Sequence, residues 1–350
     1  MESKNNNLVK LPFRIPQYKT YSINTAINGI LEVYGDDKLW IYNNYISLWI
    51  YAKRYRREYM VDFKYDKDIN YYEQCPLLKT EIIGVRMNHN IINIIKDSID
   101  SEKYIFLAVD TYFIDLWWSD VKRRRHSEHE MLILGYDNEK KVILAADFFE
   151  HSYSIQEIPY LDFRMAFDAH AGYIRERDSV NTVEIRTFKY LKNKEYTLNF
   201  DRVRNMISDF VNSCENTIED VSDLFTVHED VLYGFECLDH IMEYFTECVC
   251  KHECLDFRVI HLFYIFNEIM YCRIDYMINH KYLSDNIDIR NIQNDFEDMA
   301  HKNVKLRNLV IKYNLIKGQK YGKMVIKKMK DLFGQLENSL KKLNTYLENI

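Results

Sequence analysis

The chain has 350 residues, of which 47% are hydrophobic and 15% aromatic, and its formal net charge is −6. This length predicts a sizeable core and two domains, and the content of large apolar residues excludes a disordered chain. The negative charge argues against nucleic acid as a partner. The sequence shows no apolar signal segment and no stretch long enough to span a membrane, so we expect no membrane partner. Seven cysteines without an export signal predict reduced thiols in a cytoplasmic protein.

Short helices and strands alternate in the first half of the sequence. The apolar run at 104–110 is typical of a central strand that is buried on both faces. Ser154 and Glu157 have the spacing of a capping box and therefore predict the start of a helix. The predicted helices are 22–34, 38–56, 90–99 and 153–169, and the predicted strands outside the hairpin below are 80–86 and 104–110.

The most informative stretch is 129–147, which predicts a β-hairpin with its turn at Asn138–Glu139. Folding about that turn brings His129, which opens the first strand, to within one residue of the register of Asp147, which closes the second. A carboxylate beside an imidazole fixes its tautomer and stabilises its cation. The hairpin therefore predicts two members of a nucleophile–base–carboxylate triad.

After about residue 195 the character of the sequence changes to long amphipathic segments. Predicted helices lie at 201–214, 230–251, 256–280, 287–313 and 321–350. The shift in composition near 175–195 predicts a boundary between a catalytic domain, residues 1–190, and an α-helical domain, residues 191–350.

Ser22 is the candidate nucleophile, because it opens the first buried helix, where the positive end of the helix dipole and free N–H groups assist a nucleophile. Tyr21 precedes it and would line the same site. Taken alone, Ser22 is better explained as the N-cap of the helix. The order along the chain favours the functional interpretation: a nucleophile at a helix start, a histidine at a strand start and an acid on the next strand are the layout of papain-like enzymes.

Four segments in the same order resemble the N-terminal domains of the butirosin biosynthesis protein H family. They are the string Ser22–Leu31, the strand end Val109–Phe113, the segment His126–Asp137 and the pair Ala146–Asp147. The helix expected over 154–169 also fits that family. The resemblance covers roughly residues 10–170 and is weaker in the helical half.

The resemblance implies an α+β class with a papain-like cysteine-peptidase fold, a helix plus an antiparallel sheet, followed by the α-helical domain. It implies an acyltransferase that moves an acyl group from the phosphopantetheine thioester of an acyl or peptidyl carrier protein to a small amine. Amide bonds of this kind form in nonribosomal-peptide, thioamide and aminoglycoside antibiotic pathways. The implied triad is Ser22 as nucleophile, His129 as base and Asp147 as orienter, with no cofactor of the protein's own and no metal.

The family has cysteine where this chain has Ser22. Three explanations remain open: an engineered Cys-to-Ser replacement, a natural serine nucleophile, or a protein that has lost catalysis. A thiol ionises more easily than a hydroxyl, so serine in a site shaped for cysteine would react slowly.

Further residues are candidates for the edge of the site. The backbone N–H of Ser22 and the side chain of Gln17 are candidate oxyanion donors. His126 is an alternative base, although His129 begins the periodic strand and has the better register. Asp110 closes the buried strand and either caps a loop or borders the site.

Two basic clusters would suit an acidic carrier protein and its phosphate-bearing arm, although each is also explained as a solvated surface. The candidate docking residues are Arg54, Arg56, Arg57, Lys122, Arg123, Arg124 and Arg125. Cys248, Cys250, His252 and Cys254 are expected to be core cysteines and an exposed histidine, because zinc sites in proteins use other spacings.

Two other functions remain as alternatives: a papain-like hydrolase acting on amides or thioesters, and a non-catalytic scaffold that binds a carrier protein. Aromatic-rich helices could also form the face of a homodimer.

Overall fold

The computed structural model describes residues 7–51, 61–64, 75–86, 89–116, 125–150, 152–178, 180–214 and 231–350. In chain order these form β1 (Leu8–Lys10), α1 (Ser22–Glu32), α2 (Asp37–Asn44), β2 (Ser47–Tyr51), β3 (Val61–Lys64), β4 (Leu78–Arg86), α3 (Ile91–Asp100), β5 (Tyr104–Asp110), β6 (Glu128–Asp137), β7 (Val142–Phe149), β8 (Ser152–Pro159), α4 (Tyr160–Asp178), β9 (Thr182–Tyr190), α5 (Phe200–Val211), β10 (Val231–Tyr233), α6 (Gly234–Cys250), α7 (Phe257–Asn279), α8 (Ile287–Ile316) and α9 (Gln319–Glu348).

The chain divides into two compact units, one made of Met1–Lys38 and Asn70–Tyr196 and the other of Leu39–Ile69 and Thr197–Ile350. The second boundary lies close to the predicted division at residue 190. The segment Leu39–Ile69, however, belongs to the helical unit, because β2 pairs with β3 and with β10 in a small antiparallel sheet. A division into 1–190 and 191–350 therefore does not describe this part of the chain.

The first unit is built on one antiparallel sheet with the order β4-β9-β5-β6-β7-β8, and β1 pairs with the later half of β6. Helix α1 packs against β6 and β7, while α3 and α4 pack against β5 and against each other. β5 is buried along almost its whole length, as the apolar run predicts for a central strand. The unit is therefore of the α+β class.

The turn of the β6–β7 hairpin differs from its prediction. Asp137 pairs with Val142, so the turn comprises residues 138–141 and is centred on Glu139–Lys140. Oδ1 of Asp137 accepts hydrogen bonds from the backbone N–H groups of Glu139 at 2.9 Å and Lys140 at 3.1 Å. The prediction of a turn at Asn138–Glu139 is wrong because this local side-chain-to-backbone bonding fixes a longer turn.

A β-bulge in β6 then changes the register of the hairpin. The pairing shifts between Ile133 and Gly135, which leaves Leu134 as an extra residue on β6. Because successive side chains on a strand point to opposite faces, a shift of one residue exchanges the faces. The bulge therefore places His129 on the same face of the sheet as Asp147. Without the bulge, the register set at the turn would place these two side chains on opposite faces.

Two helix predictions in the first half are wrong in part. The helix expected over 38–56 ends at Asn44, and β2 begins at Ser47. The helix expected over 153–169 is preceded by strand β8, and α4 begins only at Tyr160. Pro159 explains the second difference, because proline lacks the N–H group that a helix interior needs but is tolerated at the end of a strand.

The second unit consists mainly of helices, with α8 and α9 packed along each other. Its core includes Arg273 of α7, which is fully buried. The Arg273 guanidinium donates to the carbonyl oxygens of Tyr42 at 2.8 Å, Ile41 at 3.2 Å and Tyr45 at 2.7 Å. These carbonyls lie in or just after the last turn of α2, where carbonyl groups lack intrahelical partners and the helix dipole favours a cation.

All seven cysteines are free thiols. The expectation of core cysteines is confirmed for Cys248, which is buried, and is wrong for Cys250 and Cys254, which are exposed. Burial raises the pKa of Cys248. None of the helices in the described part of the chain is long and apolar enough to cross a bilayer.

Candidate active site

The site begins at the N-terminus of α1. Tyr21 is the N-cap with an extended backbone, and Ser22 is the first helical residue. The Tyr21 side chain does not cap the helix, while its carbonyl accepts the N–H of Thr25 at 2.9 Å. The N–H groups of the first turn have no acceptor inside the helix, and they point towards the Ser22 end. The interpretation of Ser22 as the N-cap is therefore wrong, because it stands one position later.

The Ser22 hydroxyl instead donates to Oδ1 of Asp147 at 2.7 Å. The second oxygen of the same carboxylate, Oδ2, lies 3.0 Å from Nδ1 of His129. Asp147 is fully buried, so its carboxylate depends on such partners in place of water. The three residues of the predicted triad thus converge on one point, with the carboxylate between the hydroxyl and the imidazole.

His129 is held in a defined orientation by two acceptors. Its Nδ1 lies 2.9 Å from the backbone carbonyl of Glu130 as well as 3.0 Å from Asp147. Since both neighbours accept hydrogen bonds, Nδ1 carries the proton in the neutral ring, and Nε2 is then the basic atom. The His129 side chain is 39% exposed, which leaves the ring edge accessible to solvent.

The electrostatics of the site act on the pKa of His129 in two opposing directions. Desolvation alone would lower the pKa of His129, but its hydrogen bond to Asp147 and the negative charge of that residue outweigh desolvation, and the Glu130 carbonyl adds to the effect. The pKa of His129 therefore lies above its ordinary value. Desolvation also raises the pKa of Glu130, against the opposing charge of Arg186. Tyr153, buried beside this region, has its pKa raised by burial and by the charge of Asp147.

A second imidazole–carboxylate pair lies at the same end of β5 and β6. Nδ1 of His126 is 2.6 Å from Oδ2 of Asp110, whose other oxygen accepts the backbone N–H groups of Tyr112 at 3.0 Å and Ser127 at 3.3 Å. The His126 ring stacks on Tyr112 with centroids 4.4 Å apart. Asp110 therefore caps a loop and holds His126. The histidine that pairs with the carboxylate beside Ser22 is His129. This pairing agrees with the choice of His129 over His126 as the candidate base.

Gln17 does not fit the role of oxyanion donor. Its backbone N–H bonds the carboxylate of Glu32, at the opposite end of α1 from Ser22. Ten residues of helix separate Ser22 from Glu32, which is about 15 Å at 1.5 Å per residue. The Gln17 side chain is exposed. The remaining predicted donor is the N–H of Ser22 itself.

Of the predicted carrier-docking residues, Arg125 is exposed at the start of the segment that leads into β6. Arg54, Arg56, Arg57, Lys122, Arg123 and Arg124 lie outside the described residues.

Sequence reasoning did not single out His170 or the bulge at Leu134. His170 is buried in α4, its Nδ1 lies 4.0 Å from Oε2 of Glu128, and burial lowers its pKa. No sequence motif indicates a role for His170, because its short distance from Glu128 depends on how α4 packs on the sheet. Within the described ranges, no group of three or more His, Cys, Asp or Glu side chains is arranged to hold a metal ion.

The fold and the site together define an α+β protein with a serine, a histidine and a buried aspartate gathered at a helix N-terminus. Comparison of the chain with protein-family models and with curated protein sequences returns no match.

Proposed function

We propose that the chain is an acyltransferase that forms an acyl-enzyme on residue 22 and passes the acyl group to an amine. One observation carries this proposal: the Ser22 hydroxyl and the His129 imidazole bind the two oxygens of the single buried carboxylate of Asp147. Side chains separated by more than a hundred residues meet there at a helix N-terminus. A nucleophile, a base and an orienting acid are the minimum set for covalent acyl transfer.

In the first step Ser22 Oγ attacks the carbonyl carbon of a thioester. The O–C bond forms, the C–S bond breaks, and His129 Nε2 takes the hydroxyl proton and returns it to the departing thiolate. In the second step an amine attacks the new ester, so that the C–N bond forms and the C–O bond to Ser22 breaks. His129 moves the amine proton to Ser22 Oγ.

Each residue has a separate task in these steps. Asp147 keeps the His129 proton on Nδ1 and stabilises the imidazolium that forms. The N–H of Ser22, at the positive end of the α1 dipole, is positioned to donate to the oxyanion. The Ser22 hydroxyl bonds Asp147 and not His129 in the structure, so the proposed first step requires rotation about the Cα–Cβ bond of Ser22 to bring the hydroxyl to Nε2.

The arrangement of α1, β6 and β7 is consistent with a papain-like fold, in which a helix N-terminus faces a histidine and an acid on adjacent strands. The resemblance to the butirosin biosynthesis protein H family supports a carrier-bound phosphopantetheine thioester as donor and a small amine as acceptor. It also favours a role in antibiotic biosynthesis. Arg125 is a candidate contact for the phosphate of the carrier arm.

The test is intact-mass analysis of the full chain mixed with a carrier protein loaded with a panel of phosphopantetheine thioesters. Without amine, we expect a mass gain of one acyl group on the unchanged chain or on Ser22→Cys, and none on Ser22→Ala or His129→Ala. Ser154→Ala is the matched control, because Ser154 pairs with Asp147 across the β7–β8 ladder and should leave the adduct unchanged. If only Ser22→Cys forms an adduct, the low reactivity of the Ser22 hydroxyl limits acyl-enzyme formation.

Absence of an adduct from both side chains across the panel would contradict the proposal and leave a carrier-binding scaffold. The exposed edge of His129 makes a hydrolase the second candidate, because water can reach the ring. Turnover of the adduct distinguishes the two: release that requires an added amine supports the transferase, and equal release in water alone supports the hydrolase.

A further inference from the structure

Charge is distributed very unevenly along the helical hairpin formed by α8 and α9. Residues 301–330 contain ten lysines and arginines and no aspartate or glutamate, in a chain whose remaining residues are acidic overall. We call this stretch the basic apex. It comprises the later half of α8, the two-residue connection Lys317–Gly318 and the first half of α9.

The end of the basic apex is apolar. Leu315 is 81% exposed and Ile316 is 53% exposed, in the last turn of α8 immediately before the connection. Ile311, one turn earlier, and Met324, in the second turn of α9, are also exposed large hydrophobic residues. Such residues scattered singly need no explanation, but a group of four at the tip of a hairpin is a candidate contact surface.

Most cations of the basic apex form no ion pair with the residues that the structure describes. Lys302 pairs with Asp298 at 2.5 Å, and no other lysine or arginine of the apex forms an ion pair with a described carboxylate. Arg307 contacts His261, Lys317 contacts Cys254 and lies over the Tyr313 ring, and Lys312 lies over the Tyr321 ring. At the opposite end of the same hairpin, by contrast, Arg290 bonds two carboxylates.

Helix stability does not account for these lysines. Cations near the C-terminus of α8 are favourable for its dipole, but Lys320 and Lys323 lie in the first two turns of α9, where cations oppose the dipole. The first turn of α9 contains no acidic residue to compensate. The cations in the first turns of α9 therefore lower the stability of that helix end. This cost indicates that they bind a partner outside the chain.

We propose that the basic apex docks on the surface of an anionic lipid bilayer, with Leu315 and Ile316 inserted among the headgroups and the lysines bound to phosphates. Lys312, Lys320 and Lys323 lie within about 10 Å of the connection along the helix axes, which is within a Debye length of a charged surface. A nucleic acid would use the lysines but gives no role to the apolar tip. The expectation of no membrane partner rests on the lack of a spanning segment, whereas this contact is peripheral.

The test is co-sedimentation of the full chain with vesicles of phosphatidylcholine alone and of phosphatidylcholine containing phosphatidylglycerol. We expect binding to the anionic vesicles only, with release at high salt. The double variant Lys320→Gln, Lys323→Gln should lower the partition coefficient about tenfold or more, because each cation near the surface contributes severalfold. Leu315→Ser should also weaken binding.

Ile287→Ser is the matched control for Leu315→Ser, because Ile287 is 71% exposed at the far end of α8. It should bind vesicles like the natural sequence. Equal binding to both vesicle types, or binding that Leu315→Ser leaves unchanged, would overturn the proposal. So would tighter binding of a single-stranded DNA oligonucleotide that depends on the lysines but not on Leu315, since that result assigns the surface to nucleic acid.

Discussion

The Ser22 hydroxyl donates its hydrogen bond to Asp147 at 2.7 Å, and the same carboxylate holds Nδ1 of His129. The carboxylate thus lies between the proposed nucleophile and the proposed base. It has two separable effects, because it fixes the ring of His129 and retains the hydroxyl proton of Ser22. Variants at Asp147 should therefore change both the rate and its dependence on pH.

Asp147→Asn should lower the rate of acyl-enzyme formation by about 10²-fold or more, since an amide neither stabilises the imidazolium nor fixes the tautomer. The rate should rise with pH as His129 loses its proton. Because Asp147 contributes to raising the pKa of His129, this rise should move to lower pH in the variant. The measurement is a pH–rate profile of adduct formation.

Asp110→Asn is the matched control, because Asp110 is also a buried acid paired with a histidine. It should leave the position of the rise unchanged. A shift with Asp110→Asn and none with Asp147→Asn would assign the base to His126.

The His129–Asp147 pair should also make folding stability depend on pH. A histidine whose folded pKa is above its unfolded value of about 6.5 binds its proton more tightly in the folded state. Its contribution is therefore fully present below that value and is lost as the pH rises through the folded pKa. Urea unfolding midpoints measured across this range should fall more steeply with pH in the natural sequence than in His129→Gln. Parallel curves would show that the pair does not contribute.

Gly135→Ala should destabilise the protein by about 1–3 kcal/mol through overpacking. A Cβ atom at Gly135 would lie 2.5 Å from the carbonyl oxygen of Val9, on the strand that pairs with the bulged part of β6. Gly84→Ala is the control, because its Cβ would meet nothing closer than Thr182 at 3.9 Å. Urea unfolding should separate the two variants, and similar losses would mean that close approach to β1 is unimportant.

Arg273→Met should destabilise the protein by about 3 kcal/mol or more, because it removes the donors that satisfy carbonyls at the end of α2. Arg273→Lys should lie between, since an ammonium cannot reproduce the planar fork of a guanidinium. Arg258→Met, an exposed position at the start of the same helix, should cost less than about 1 kcal/mol. Free energies of unfolding from urea titration provide the comparison.

The strongly periodic parts of the sequence predicted the structure best. The apolar run at 104–110 is β5, and the five segments after residue 195 are α5 to α9 within a few residues at each end. These elements can be predicted from the local sequence, because a single apolar stripe along a helix determines whether it can pack. The α+β class with an antiparallel sheet was instead implied by the family resemblance, and the structure has both.

The remaining differences depend on distant partners or on single residues. Strand β8 is an edge strand whose pairing with β7 no local period reveals, and the capping-box spacing of Ser154 and Glu157 indicated a helix there. Gln17 was expected near Ser22 because papain-like enzymes place a glutamine amide close to the nucleophile, but its N–H bonds Glu32. The convergence of Ser22, His129 and Asp147 was predicted correctly although the hairpin register was not, because the longer turn and the bulge compensate.

The bulge at Leu134 restricts how the paired parts of β6 and β7 can change length. Inserting or deleting one residue within the paired part of either strand turns His129 or Asp147 to the far side of the sheet, whereas a change of two residues keeps them together. Chains descended from the same ancestor should therefore vary these paired lengths in even steps, or gain and lose the bulge together with a single residue. A search for distant relatives that allows only such spacings would have a stricter criterion than residue identity alone.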